Sequence, residues 1–461
     1  MFKNVTLPGT DRADAADPGT VRVQVGIDAA VVANHHVCVR EYRADGRVAP
    51  TRFHVPPTLA GLSQLRDRLA PYPGVVAVAE PTSMTWLGLS IALGQAGLDL
   101  SLLGARHAAR LRGAITGKDK SDVIDADVLA MASDVFTLTP LRVPSPDQLA
   151  LRRAVTRRGK LVVDGNRAKR RLISLARWAF PDVWSAFAGS MPTATAVLTR
   201  WPNLNCLAAA RRSSLTAVVA AHTRGVPDVP ARAERIRSAA AGWATFWDGH
   251  LDLDALAWEV TEHLDDMRAS EQRIDRATGQ ATRYWALLYG DDPLLLSVPG
   301  MGPMTAPTVR AFLGDAAAFS TAKAAASYVG MTPSTWSSGT ISQPSRAITK
   351  EGPPVLRLAF YQAANGARRT DPQLAAYYQH LMLERGHCHT QATVAVARKL
   401  IERTWTVLSR GEPYQLRALD GTPVTAVAGR ALARTVYAVP DDVRARARAR
   451  SAATHRAKLT K

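Results

Sequence analysis

Two acids, Asp28 and Glu80, each close an apolar run (Val25 to Ile27 and Val75 to Ala79), and two more, Asp122 and Asp125, stand three residues apart behind Ser121. An acid at the carboxyl end of a strand sits where the strands of an α/β sheet present their ligands. On a helix capped by Ser121, Asp122 and Asp125 lie about 60° apart around the axis, so both face one side and Asp127 does not. Four carboxylates brought together repel and stay partly protonated unless divalent cations neutralise them, and Mg²⁺ (or Mn²⁺) takes such oxygens together with water and phosphate oxygens. The chemistry to expect is two-metal phosphoryl transfer, with ions about 3.5–4 Å apart clamping the attacking and leaving oxygens. Taken singly, the same acids also read as a strand-end turn residue (Asp28), a salt-bridge partner (Glu80) and first-turn acids favoured by the helix dipole (Asp122 and Asp125).

Three further constellations bear on chemistry. Ser337-Ser338-Gly339 follows Gly330-Met331-Thr332-Pro333 in a stretch too rich in Ser, Thr, Gly and Pro to be helical; Ser-Gly by itself is a turn, and a serine hydroxyl needs a base or a metal-activated electrophile beside it to attack. Val298-Pro299-Gly300-Met301-Gly302 resembles the hairpin of a helix-hairpin-helix motif, in which Gly300 and Gly302 would let backbone N–H groups approach a phosphate; a plain glycine turn between core helices reads equally well. Residues 152–171 carry nine basic side chains, Arg152, Arg153, Arg157, Arg158, Lys160, Arg167, Lys169, Arg170 and Arg171, against the single acid Asp164, a balance that a solvated helix rarely needs and a nucleic-acid surface does. His387-Cys388-His389 is too cramped for zinc-ligand spacing and reads as a surface turn.

The elements that must position these groups follow from periodicity. Val21, Val23, Val25 and Ile27 alternate with Arg22, Gln24 and Gly26, as in a half-buried strand ending at Asp28; strands at 36–42 and 51–55, a helix at 57–69, a strand at 75–79, a helix at 86–96 and a strand at 98–103 follow. The order βββαβαβ, with no glycine-rich phosphate loop after the first strand, predicts an α/β RNase-H-like domain over 21–145 rather than a dinucleotide-binding unit. Residues 149–180 turn helical, and Leu253, Ala257, Val260, Leu264, Met267, Glu271 and Ile274 form an a/d seam of about three heptads, flawed at Glu271, which predicts coiled-coil packing within or between chains. The expected organisation is therefore a disordered extension (1–20), the α/β domain (21–145), a basic helical linker with the coiled coil (146–290), a mainly α-helical C-terminal domain (291–412), and a basic tail (413–461). That tail, with alternating Arg and Ala and no acid after Asp442, is expected to be disordered or helical only on binding.

Composition narrows the classes. The formal net charge of +19 predicts polyanionic partners, and 47% apolar residues are enough to build real cores. Three cysteines far apart in sequence, Cys38, Cys206 and Cys388, exclude a disulfide scaffold and point to a reducing compartment. No apolar segment reaches the roughly 18 residues of a bilayer span, and the first twenty residues hold no signal-like apolar core, so a cytoplasmic protein without membrane association is expected.

Together these residues resemble the bacterial insertion-sequence transposases of the IS 110 and IS 1111 groups, related to Piv-type invertases. The resemblance is carried by Val25-Gly26-Ile27-Asp28, Glu80, Lys120-Ser121-Asp122-Val123-Ile124-Asp125-Ala126, Val298 to Gly302, Gly330-Met331-Thr332-Pro333 with Ser338-Gly339, Lys350-Glu351-Gly352 with Leu356-Arg357, and Ala397-Arg398-Lys399-Leu400. It implies a RuvC-like DEDD domain formed by Asp28, Glu80, Asp122 and Asp125, and a transposase domain whose serine, here Ser338, attacks DNA. It further implies a structured guide, the bridge RNA, that pairs with donor and target DNA, a tetramer (dimer of dimers) in which the acids of one subunit meet the serine of another, and a bacterial, nucleoid-associated location. Two other classes compete on the residues alone: a metal-dependent nuclease or junction resolvase using water as nucleophile, and a non-catalytic nucleic-acid-binding protein.

Overall fold

The computed structural model describes residues 22–43, 45–117, 119, 121–223, 228–334, 337–338, 341–342 and 347–459. The chain divides into two compact units, residues 1–145 with 336–342, and residues 146–335 with 343–461.

In the first unit, β1 (Arg22–Asp28), β2 (His35–Tyr42) and β3 (Val48–Val55) form an antiparallel meander. After α1 (Leu59–Leu69), β4 (Val76–Ala79) enters parallel to β1; after α2 (Thr85–Gln95), β5 (Asp99–Leu102) pairs parallel with β4. The sheet order β3-β2-β1-β4-β5 puts β1 and β4 at its centre. The helices α3 (Ala105–Thr116), α4 (Asp122–Ala130) and the short α5 (Ala132–Val135) complete the unit.

Side-chain alternation sorts the core into two layers. Val25, Ile27, Val37, Val39, Ala77 and Ala79 meet α1 and α2 through Leu65, Leu69, Leu89 and Leu93. On the other face, Val78 packs with Leu111, Val128 and Leu129, and Cys38 with Ala126 and Ala130. The period-two pattern suggests a half-buried β1, but the strand is covered on both faces. Its second face is disguised by Gln24, which is 3% exposed and hydrogen-bonds Tyr42, Ser133 and Asp134, and by Gly26. A Cβ at Gly26 would overlap the backbone of Ala126 and Ala130, so glycine is what lets α4 lie directly on the strand. Gly26→Ala is expected to lower the unfolding free energy by more than the roughly 1–3 kcal/mol of ordinary overpacking, and the urea midpoint with it, because helix backbone rather than a side chain must move. An unchanged midpoint in urea would refute this seating of α4.

The second unit is built on two long helices, α6 (Pro146–Ala179) and α12 (Leu253–Tyr289). Arg158 reaches Thr278, Gly165 abuts Ser270, and Arg171 faces Asp266, a descending register that makes the pair antiparallel and within one chain. The heptad residues Ala257, Val260, Leu264 and Met267 are buried, while the flaw, Glu271, lies 3.9 Å from Lys169. Between these helices come α7 (Pro181–Ala186), α8 (Met191–Arg200), α9 (Leu204–Ala208), α10 (Arg212–Ala221) and α11 (Val229–Trp247). They share a core with Leu172, Leu175, Val260 and Leu264.

The opposite ends of α6 and α12, at Leu151, Val155, Ala281 and Trp285, join a separate core. It is supplied by α13 (Pro293–Ser297), α14 (Ala306–Leu313), α15 (Ala322–Val329), α16 (Pro354–Ala367), α17 (Pro372–Leu383) and α18 (His389–Arg410). A hairpin of β6 (Ser337–Ser338) and β7 (Ile341–Ser342), which belongs to the first unit, lies in the sequence between α15 and α16. Two helices follow Gly411, α19 (Ala426–Thr435) and α20 (Asp441–Leu459). The expectation of a disordered tail is thus corrected: Val439 and Ala447 are 4% and 3% exposed and insert into this core, which supplies the burial that alternating Arg and Ala lack on their own. Among the described residues no helix is long and apolar enough to cross a membrane.

Candidate active site and nucleic-acid surface

Register places two of the four acids side by side. Ile27 is paired with Ala79 in parallel, so the next residues, Asp28 and Glu80, emerge together at the carboxyl edge of the two central strands. Across the antiparallel side Asp28 is in register with His36, whose Nε2 lies 3.9 Å from the carboxylate of Asp122. Ser121 caps α4 by accepting the Ile124 N–H at 3.2 Å, as its position before the two acids suggests.

The α4 acids then diverge in their contacts. Asp122 stays exposed beside β2, whereas Asp125 is buried and receives Arg112 of α3 at 2.6 Å. Asp127 is turned to β2 and β3, where Arg52 donates to both of its oxygens at 2.7–3.1 Å. Burial opposes its ionisation, but hydrogen bonds from Arg52 and Cys38 hold this carboxyl below its usual range. The Cys38 thiol is pushed up to about 12 by burial and by the neighbouring Asp127, so it is inert as a nucleophile at neutral pH.

Carboxylate oxygens are the right donors for a hard divalent cation, and Asp28, Glu80 and α4 share one sheet edge. Among the described residues, though, no three His, Cys, Asp or Glu side chains converge closely enough to hold an ion, and Arg112 supplies the positive charge at Asp125. The donor chemistry fits a metal site; closure around an ion requires side-chain rotation and release of Asp125 from Arg112. Sequence reasoning passed over Arg112 and His36, since nothing local links either to the acids before the strand register is known. Gly26 did carry a signal: an isolated glycine within a strand marks a close backbone approach.

Ser338 lies in β6, its backbone paired with Ile341 of β7; its side chain and Gly339 fall outside the described residues, as does Lys120. Gly300 has φ +79°, and a Cβ there would overlap the Ala363 carbonyl, so α16 packs against it directly; Gly302 donates its N–H to Thr305 Oγ1 at 2.9 Å. Both glycines thus have a local structural task. His389 accepts or donates at 2.8 Å to Tyr378 and begins α18, so the 387–389 cluster is a helix start rather than a plain turn.

The nine basic residues of α6 separate into distinct roles. Arg152 donates to the Ala311 carbonyl at 2.6 Å and Arg158 to Thr278 at 2.9 Å, with burial lowering the Arg158 pKa, so both serve packing. Lys169 and Arg171 face Glu271 and Asp266 at 3.9 and 3.7 Å, and Arg167 pairs with Asp164 at 2.9 Å. Arg153, Arg157, Lys160 and Arg170 are exposed, with no ion pair among the described residues. At 3.6 residues per turn, Arg153, Arg157, Lys160, Arg167 and Arg171 fall within about 40° of one line, a stripe roughly 27 Å long that flanks the buried face.

Comparison with known proteins finds two family models along the chain. Residues 25–181, which contain all four acids and the basic stripe, match a transposase family model of DEDD, IS110 type, and residues 292–379, which contain Gly300, Gly302 and Ser338, match the model "Transposase IS116/IS110/IS902 family". The chain is 28% identical over 376 residues to the "Insertion element IS110 uncharacterized 43.6 kDa protein" of Streptomyces coelicolor, covering 78% of this chain and 88% of that protein. It is 28% identical over 350 residues to the IS900 42 kDa protein of Mycobacterium paratuberculosis, 72% of this chain and 85% of the relative. A "Pilin gene-inverting protein" of Moraxella bovis is 28% identical over 168 residues, 36% of this chain and 52% of that protein.

Proposed function

Since the chain belongs to the IS116/IS110/IS902 family of transposases, a family of DNA recombination enzymes, we propose that it cuts and rejoins DNA through a covalent serine intermediate at a metal-assisted, RNase-H-like (RuvC-like) carboxylate site. The observation that carries this reading is the convergence of Asp28 and Glu80 on one sheet edge, with α4 and its two acids seated on the same strand by Gly26. Asp28, Glu80, Asp122 and Asp125 would hold Mg²⁺ or Mn²⁺. A divalent cation bound there neutralises charge on the scissile phosphate. His36 is in register with Asp28 and lies 3.9 Å from Asp122, and Arg112 donates to Asp125, so both basic side chains adjoin the proposed carboxylate site.

The Ser338 hydroxyl then attacks the phosphorus: a serine O–P bond forms, the bond from phosphorus to one flanking sugar oxygen breaks, and the hydroxyl proton is passed on to that leaving oxygen or to water. The phosphoserine ester conserves the phosphodiester, so the reverse attack by a new strand end needs no nucleotide triphosphate. Assembly of several copies, a tetramer in the family pattern, would bring two such reactions together.

The +19 charge and the stripe on α6 support a second polyanion besides DNA, a structured guide RNA. The test is purification of the full chain with its bound nucleic acid, followed by sequencing. A discrete structured RNA is expected; recovery of only random fragments would refute RNA guidance. Replacing Arg153, Arg157, Lys160, Arg167 and Arg171 with Gln should flatten the log-log salt dependence of RNA binding by about 0.7–0.9 for each phosphate that is no longer neutralised. Arg152→Gln should instead lower stability, because it loses the Ala311 carbonyl, and leave that slope unchanged. An unchanged slope in the five-fold variant would make the stripe a merely solvated face.

A further inference from the structure

A cavity of about 560 Å³ lies in the second unit, walled by α17, the start of α18, α20 and the turn after α16. Four guanidinium-bearing residues line it, Arg368, Arg369, Arg444 and Arg448, together with Tyr378 and His389; no acid is among its lining residues. None of the four arginines forms an ion pair among the described residues. Arg368 is spread over the Tyr378 ring, 4.4 Å from its centroid, and burial lowers its pKa. The Nε of Arg444 is buried without a hydrogen-bond partner.

Uncompensated like charges of this kind are destabilising. Arg444 and Arg448 are i and i+4 on α20, where repulsion is strongest on a helix, and Ala447 between them pins that face into the core. The field reaches His389, whose pKa is lowered by burial and by Arg368, Arg444, Arg369 and Arg448. His389 and Thr390 also open the 22-residue helix α18, whose partial positive end adds to the same field. A fold that gathers four cations, a helix start and an unpartnered buried donor around a space of ligand size, and places no carboxylate there, is complementary to an anion with several acceptor oxygens.

We propose that this cavity binds a phosphate group of a nucleic-acid strand, with Arg444 and Arg448 as its principal ligands. Arg368, Arg369 and Tyr378 lie within the family match at residues 292–379, and the wall supplied by α20 lies beyond it. The inference stands on the second unit alone and is independent of the cleavage chemistry.

The test uses the full chain with two probes, inorganic phosphate and a fluorescent single-stranded oligonucleotide. Inorganic phosphate should raise the melting temperature saturably in the wild type and fail to do so in Arg444→Gln/Arg448→Gln. In the oligonucleotide arm the same pair should flatten the salt dependence by about 0.7 for each guanidinium that contacts a phosphate. Arg430→Gln/Arg434→Gln on α19, exposed and outside the cavity, removes equal charge and should leave the phosphate response intact. Arg444→Lys/Arg448→Lys should restore most of the response if charge is what binds. A phosphate response without a change in the oligonucleotide slope would assign the cavity to a free anion and overturn the nucleic-acid proposal; equal losses in the α19 control would reduce the cavity to diffuse electrostatics and overturn it entirely. Because the glutamine pair relieves repulsion, its melting temperature without anion should be no lower than wild type, and a collapse there would show that the arginines are structural.

Discussion

Ser338→Ala is expected to abolish the covalent protein-DNA adduct and to reduce strand exchange by at least about 10⁴-fold, the scale on which a nucleophile's removal is felt. With metal, guide and DNA present, the wild type should form a species that survives denaturation and disappears on proteolysis. The variant should bind DNA normally and form none. Ser337 is the neighbour in the same two-residue strand, paired with Ser342 where Ser338 is paired with Ile341, and Ser337→Ala should retain adduct formation. In the proposed mechanism, a glycine after Ser338 would let backbone come close to DNA with no side chain intervening. Continued cleavage by Ser338→Ala, with free ends and no adduct, would overturn the recombinase mechanism and establish water as nucleophile, the reaction of a nuclease or junction resolvase.

The second large effect is expected at the acids. Asp28→Asn, Glu80→Gln, Asp122→Asn and Asp125→Asn should each lower cleavage by about 10³-fold or more, the rate equivalent of several kcal/mol of lost charge stabilisation at the phosphate, while nucleic-acid affinity changes little. Asp127→Asn is the control on the same helix. Its carboxylate is committed to Arg52, side chains 23% and 46% exposed, so its loss should cost about 1 kcal/mol or less of stability and leave cleavage intact. Asp125→Asn needs a melting curve beside it, because the change removes the charge that compensates the half-buried Arg112. Equal loss of activity at Asp127 and Asp125, or full activity of Asp125→Asn, would refute the assignment of helix faces.

Much of the first unit is legible in the sequence because its cues are local. β1 ends at Asp28 as the alternation predicts, and every other strand and helix up to residue 103 falls within a few residues of its expected place. The largest discrepancy in the sheet is β3, expected from Thr51 but beginning at Val48. Pro50 ends a strand pattern when read in isolation, yet β3 is an edge strand, where a missing N–H is tolerated on the solvent side. The heptad seam identified a helix partner without naming it, since the same apolar stripe serves a second chain or an antiparallel helix of its own; contacts such as Arg158 with Thr278 decide for α6.

Residue type, order and spacing by themselves determined the family, the positions of the four acids at strand and helix ends, and the basic character of α6, because strand period, helix capping and charge count are properties of short segments. Tertiary structure alone decided what each charge is for. Arg152 and Arg158 look identical in sequence to Arg153 and Arg157, yet the first two are absorbed into packing and the second two face solvent, a difference set by the roughly 100° between consecutive residues around one helix. Asp125 acquires Arg112 from a separate helix, and Arg444 and Arg448 acquire Arg368, Arg369 and His389 from segments more than fifty residues away, which no local pattern encodes. Electrostatic function depends on distances in space, and chain separation says nothing about those until the core has closed.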